Sequence, residues 1–416
     1  MSRYSFLSLL RNGLNHHRRW PQAWRSPAPK PAYDVVVIGA GGHGLATAYY
    51  LAAEHGIANV AVVDKGWLGG GNTGRNTTIV RSNYLYPESA AFYDFALRLY
   101  ERLSDTLNYN IMLSQRGLIT LAHSRHELEA MAAWVNAMQV NGVDAEAIGT
   151  DEIRRMAPLL DCSTSARFPV LGGALQRRAG IARHDAVAWA YARAADARGV
   201  DIIQNCEVHG LIEEAGRIVG VETARGPIRA GKVVMAVAGH SSVLAAKAGF
   251  RLPVTSYALQ AMVSEPVKPM LDVVLLSPAT GVYVSQSDKG ELVFGGGLDL
   301  YPSYGQRGNF PTVETVIAGL IEMFPGASRL RWMRQWAGIT DVVHDSSPII
   351  DRAPKPGLYI NCGWGTGGFK AIPAGGFTTA HLVARDEPHP LASAFTLKRF
   401  ETGAMIDEAA AAGISH

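Results

Sequence analysis

The chain has 416 residues, 48% hydrophobic and 18% charged, which allows two or three domains, or two interleaved ones, with ample packed core. No apolar run reaches the length that spans a bilayer. Cys162, Cys206 and Cys362 lack the paired spacing of a zinc or redox site, so a soluble chain in a reducing cytoplasm, with structural thiols and no metal, is expected.

The net charge of +3 is concentrated at the start. Residues 1–33 hold Arg3, Arg11, Arg18, Arg19, Arg25 and Lys30 and no acid, leaving about −3 for the rest. Such a stretch has the composition of a nucleic-acid arm or a mitochondrial transit peptide. Trp20, Trp24 and Leu7, Leu9, Leu10 and Leu14 give it contact area, so the preferred reading is a surface arm packed on the body or on a partner. No apolar segment with a cleavage site is visible, which argues against secretion.

Tyr33–Ile38 is a short β-branched run that feeds Gly39-Ala40-Gly41-Gly42-His43-Gly44. Leu45–His55 then has a helical apolar face, Gly56 ends it, and Val60–Val63 is a second strand closing on Asp64. This is a complete β-α-β dinucleotide unit with an acid twenty residues past the last glycine. Gly39 permits the turn, Gly41 and Gly42 let backbone approach a pyrophosphate, and Gly44 allows close helix–strand packing. The helix start offers free N–H groups to phosphate. Asp64 accepts from a ribose hydroxyl and repels a 2′-phosphate. The unit alone does not separate FAD from NAD. The run Gly69–Thr78, with Asn72, Thr73, Arg75 and Thr78 as donors and acceptors, replaces the crossover helix usual in NAD domains. It leads into Ile79 and Arg81 and is expected to be ordered by a ligand.

Further along, helices are expected at Glu88–Leu107, Ser124–Val140 and Ala186–Arg198, the last capped by Asp185. Ser241–Lys247 and Val313–Phe324 also read as helices. Strands are expected at Gly117–Ala122, Asp201–Gln204, Ile218–Thr223, Lys232–Ala238, Val282–Ser285 and Glu291–Phe294. Near the end, Gly357–Cys362 forms a strand into Gly363–Lys370, with a helix over Gly375–Ala384. This second strand–glycine–helix device, with Gly365 and Gly368, would bring another positive helix end to the ligand. No internal repeat is visible.

The strings GNTGRNTTIVRSNYLYPESA (71–90), GIARHDAVAWAYARAADARGVDIIQNCEV (180–208), VYVSQSDKGELVFGGG (282–297) and LYINCGWGTGGFK (358–370) resemble the beta subunits of the heterotetrameric sarcosine oxidases. The likeness runs in order along essentially the whole chain. It implies an α/β (α+β overall) architecture in which a Rossmann-like FAD-binding domain (34–100, 170–250, 335–416) interleaves with a sheet-rich substrate domain (101–169, 251–334), after the arm of residues 1–33. It implies oxidative demethylation of sarcosine to glycine, with hydride passing to non-covalent FAD. Electrons would then pass to FMN at the boundary with the alpha subunit and on to O2, giving H2O2, and tetrahydrofolate on alpha would take the one-carbon unit. Alpha, gamma and delta subunits are the implied partners; nucleic acid and membrane are not.

By the same resemblance, Arg81 and Lys370 hold the substrate carboxylate, and His184 carries the FMN. Lys65, Ile79 and Val208 join the glycines, His43, Asp64, Asn72, Thr73, Arg75 and Thr78 as FAD contacts. A carboxylate taken out of water needs fixed cations, and a lysine at a helix start opposes the dipole, which points to a functional demand. Monomeric relatives tether FAD through a cysteine where this chain has Gly338, so that tether is not expected. His43, His240 and Tyr283 are candidate bases by position. Alternatives are oxidation of dimethylglycine or proline on the same fold, or a non-catalytic FAD-binding scaffold; an NAD-dependent dehydrogenase is disfavoured by the loop after Asp64.

Overall fold

The computed structural model describes residues 5–18 and 22–406. Arg3, Arg19 and Trp20 of the basic arm lie outside those residues. Within the arm, Phe6–Leu14 is a helix capped by Ser5, and none of its residues is buried. The following stretch packs on the body: Trp24 lies against the main core, Arg25 pairs with Asp196 at 2.8 Å, and Lys30 pairs with Asp201 at 3.0 Å.

One sheet has a parallel core in the spatial order Leu358–Cys362, Gly226–Met235, Ala32–Ile38, Val60–Val63 and Asp201–Ile203, with Ile349–Arg352 antiparallel on the outer edge. Its strand Val60–Val63 is apolar without interruption because both faces are covered. Helices Gly42–Glu54, Pro87–Thr106, His184–Asp196 and Gly368–Arg385 bury one face. Strands Val208–Glu214 and Arg217–Thr223 with helix Ser241–Lys247 cover the other.

The second sheet has eight strands, in the order Trp332–Val343, Val254–Pro266, Glu291–Pro302, Val282–Gln286, Val274–Ser277, Leu118–Ala122, Gly172–Gln176 and Ala145–Gly149. It is antiparallel except where Val274–Ser277 runs parallel to Leu118–Ala122. Gly172–Gln176 and the whole of Trp332–Val343 belong to this sheet, so the boundaries drawn at residues 170 and 335 cut across it.

The helices that follow the two glycine turns cross in contact. A Cβ on Gly376 would strike Ala46, and one on Gly42 would strike Ile372. This close approach brings together two turns separated by over three hundred residues.

Several element boundaries differ from the sequence reading. The last helix begins at Gly368 and carries Pro373 inside it. The amide missing at Pro373 leaves the Phe369 carbonyl without its helical donor, and the Tyr100 hydroxyl donates to it at 2.6 Å. Strand Glu291–Pro302 continues through its three glycines. Asp185 is not the cap of its helix; Arg183 holds that position, and Asp185 sits in the first turn, pairs with Arg183 and accepts from the Ala186 N–H at 2.8 Å.

Candidate functional site

The first turn is held by its own chain. Gly39 has φ +108°, and a Cβ on Gly44 would collide with the Gly39 carbonyl oxygen, so the helix meets the strand only through glycine. Gly41, at the helix cap, offers no side chain to the free N–H groups; the Gly42 N–H donates to the Thr73 hydroxyl at 2.9 Å. Asp64 accepts from the Ala40 N–H and the Gly66 N–H, both at 2.8 Å. A carboxylate offers about four acceptor positions, so it retains capacity toward the cavity it lines.

The loop after Asp64 is zipped to the edge strand Trp332–Val343. The Asn72 amide donates to the Ile339 carbonyl at 2.5 Å and accepts from the Ile339 N–H at 2.9 Å. The Trp336 indole N–H donates to the Arg75 carbonyl at 2.6 Å. The Arg75 guanidinium is turned back on the carbonyls of Gly70 and Gly71. Protein contacts therefore order this segment. Thr78 is β-branched yet has φ +70°, a conformation costing about 1–3 kcal/mol. Its N–H donates to the Asn76 side chain at 2.7 Å and its carbonyl accepts from Ala182 at 2.9 Å.

The second turn follows Leu358–Cys362, with Gly363 at φ +75° and Gly365 at φ +51°. Trp364 donates its indole N–H to the Asn361 side chain at 2.6 Å and stacks on His43, with ring centroids 4.3 Å apart. Because the Gly368 carbonyl can only accept, the His43 Nε2 carries a proton and donates it at 2.8 Å. Nδ1 is buried and has no hydrogen-bond partner among the described residues, facing Gly375. Burial lowers the His43 pKa to about 4, so a neutral ring ties the first helix to the second.

Lys370 is 6% exposed and Arg81 4%. Both lie over the ring of Tyr84, Arg81 at 4.9 Å and Lys370 at 5.9 Å, and Tyr84 stacks on Tyr93 at 3.8 Å. Arg81 donates to the Asn83 side chain at 2.7 Å and Lys370 to the Thr366 carbonyl at 3.2 Å. Burial first, and then Arg81, push the Lys370 pKa well below the usual amine range. Two like charges beside one buried ring favour an anion there, which would restore the ammonium form.

A cavity of about 710 Å³ joins both turns, within the range of cofactor sites. Its wall includes Gly39, Gly41, Gly42, His43, Asp64 and Lys65 from the first unit, and Asn72, Thr73, Arg75, Thr78, Ile79 and Arg81 from the loop. Val208, Gly365, Gly368 and Lys370 complete the expected set, and Gly338 lines the wall beside Asn72. Gly44 is not in the wall; it serves packing. Of the candidate bases, His240 shares a hydrogen bond with Lys65 at 3.2 Å, far along the chain from Arg81, and the Tyr283 hydroxyl bonds Thr77, with a pKa pushed up to about 12 by burial.

His184 stands apart from the cavity wall, in the first turn of helix His184–Asp196. Its Nδ1 is buried with no hydrogen-bond partner among the described residues and lies 3.8 Å from Asp185. Burial lowers its pKa, so its neutral form, the nucleophilic one, is favoured. Sequence reasoning missed Tyr84, Tyr93, Trp364 and Asp341. Trp364 stands inside the last glycine string and Tyr84 three residues after Arg81, so position alone could have flagged them.

Residues 34–382 match the family described as FAD dependent oxidoreductase. The chain is 55% identical over 416 residues to a protein of Rhodobacter capsulatus named sarcosine oxidase subunit beta, covering 100% of both. It is 56% identical over 406 residues to the same-named protein of Rhizobium meliloti, covering 98% of this chain and 97% of that one. Among solved structures it is similar to L-proline dehydrogenase from P. horikoshii, with TM-score 0.84 and 26% identity, covering 91% of this chain and 99% of that chain.

Proposed function

The chain belongs to the FAD-dependent oxidoreductase family and groups within it with the sarcosine oxidase beta subunits; from that premise we propose that it oxidises the N-methyl group of sarcosine. The observation that carries this reading is the Arg81–Lys370 pair, buried in the wall of a cavity that both glycine turns line. A free N–H-rich helix start, an acid with spare acceptor capacity and a glycine backbone fit FAD along the rest of the cavity. Gly39, Gly41 and Gly42 would hold its pyrophosphate, Asp64 its ribose, and Asn72, Thr73, Thr78 and Ile79 the remainder. Bound there, FAD supplies the acceptor for a hydride.

The chain's own residues bind, orient and exclude water. Arg81 and Lys370 fix the substrate carboxylate, and a fixed carboxylate sets where the N-methyl carbon lies. Tyr84, held by Tyr93, forms the apolar floor under both cations. In the full reading, His184 would carry FMN beside the alpha subunit, and that group would supply the reaction with O2 that yields H2O2. The orphaned, buried Nδ1 of His184 supports that position. Tetrahydrofolate on alpha takes the one-carbon unit, gamma and delta complete a cytoplasmic heterotetramer, and the first sheet carries FAD while the second walls the substrate.

The likeness to L-proline dehydrogenase favours a second reading, a cyclic secondary amino acid as substrate. Anaerobic addition of sarcosine, dimethylglycine or proline to the yellow complex decides between them. Sarcosine is expected to bleach the flavin most readily; preferential bleaching by proline would overturn the reading. His184→Ala is expected to release all of its flavin in acid, and flavin that stays attached would refute the FMN site.

A further inference from the structure

Asp341 lies on the edge strand Trp332–Val343 of the second sheet, is 2% exposed and lines the cavity. Among the described residues it makes no ion pair. Its carboxylate instead accepts the Gly363 N–H at 2.6 Å and the Trp364 N–H. A buried carboxylate with no cation is costly, and here the hydrogen bonds from backbone N–H groups offset that cost. Those two amides begin the second glycine turn, which belongs to the other sheet. Gly363 also has no latitude: its φ is +75° and a Cβ would strike Val343, two residues beyond Asp341. Downstream of this anchor the turn places Trp364 on His43, the Thr366 carbonyl on Lys370, and Lys370 over Tyr84.

We infer that Asp341 is a positioning residue: its carboxylate clamps the Gly363–Trp364 turn across the two sheets and so sets where Lys370 meets the substrate carboxylate. This rests on the reading of the site given above. Burial raises the Asp341 pKa to about 6, in keeping with a carboxylate supported by backbone N–H groups alone.

The test compares Asp341→Asn and Asp341→Glu with the parent in the assembled complex, by FAD titration of the apoprotein and by anaerobic bleaching with sarcosine at saturating FAD. Asparagine keeps the shape but loses one anionic acceptor, a change worth roughly tenfold at a buried site. FAD affinity is expected to fall about tenfold, and the sarcosine concentration for half-maximal bleaching to rise by a similar factor. Glutamate is expected to recover part of both. Parental FAD affinity and parental sarcosine demand in Asp341→Asn would overturn the inference, as would a loss confined to melting temperature or the insolubility of both variants. If sarcosine fails to bleach the parent, the functional reading falls while the FAD titration still tests the clamp.

Discussion

The two glycine turns use one backbone device with opposite added chemistry. Each leads from a parallel strand into a helix that starts at glycine without a capping side chain. At the first turn the neighbours are acceptors, the Thr73 hydroxyl and the Asp64 carboxylate, and the first helical turn carries no lysine or arginine. At the second, Lys370 sits buried in the first helical turn, against the dipole, with Arg81 nearby. A helix start can serve phosphate with backbone alone. On the proposed reading, a small carboxylate beside a flavin needs buried side-chain cations, and Lys370 of the second turn, with Arg81, would provide them.

Substitutions at the turns break this contrast in different ways. Gly44→Ala should have the largest effect, because the added Cβ meets a backbone carbonyl that cannot move aside. The expected result is little soluble yellow protein, seen in flavin content per chain. Lys370→Met should keep FAD but slow sarcosine-driven bleaching by about a hundredfold or more, the scale of a buried charge-assisted contact at about 3 kcal/mol. Normal bleaching would show that the second turn needs no cation. Asp64→Asn should weaken FAD binding about tenfold, read by titration of the apoprotein, since a ribose hydroxyl then meets a neutral acceptor.

His43, the residue joining the two turns, makes stability depend on pH. The native His43 pKa, lowered to about 4, lies below its unfolded value of about 6.5. Between those limits the unfolded chain binds the extra proton, so stability falls as pH drops through that window, by up to about 3 kcal/mol from this group. His43→Gln should flatten the acid limb of an unfolding curve measured against pH. An unchanged slope would mean that the ring does not stay neutral between the helices.

Much of this was legible in the sequence. Strand Val60–Val63 and helix Ser241–Lys247 fall where apolar runs and glycine stops put them. Both turns announced themselves by their strings, as did Arg81 and Lys370. The last helix was read as starting late because Pro373 and its glycines mark a loop by local rules, whereas Tyr100, far off in the chain, supplies the missing donor. The glycines after Phe294 also read as a turn, yet they are spaces in a continuing strand: a Cβ on Gly295 would strike Tyr283, and one on Gly296 would crowd Val316. Asp341 was invisible for the same reason, since its contacts with Gly363 and Trp364 exist only once the two sheets meet.

The most direct test of the paired-cation site compares sarcosine with an N-methyl amine that lacks the carboxylate, each added without oxygen to the flavin-loaded complex. Sarcosine is expected to bleach the flavin while the amine, at the same concentration, leaves the colour unchanged. Equal bleaching by both would contradict the paired-cation site.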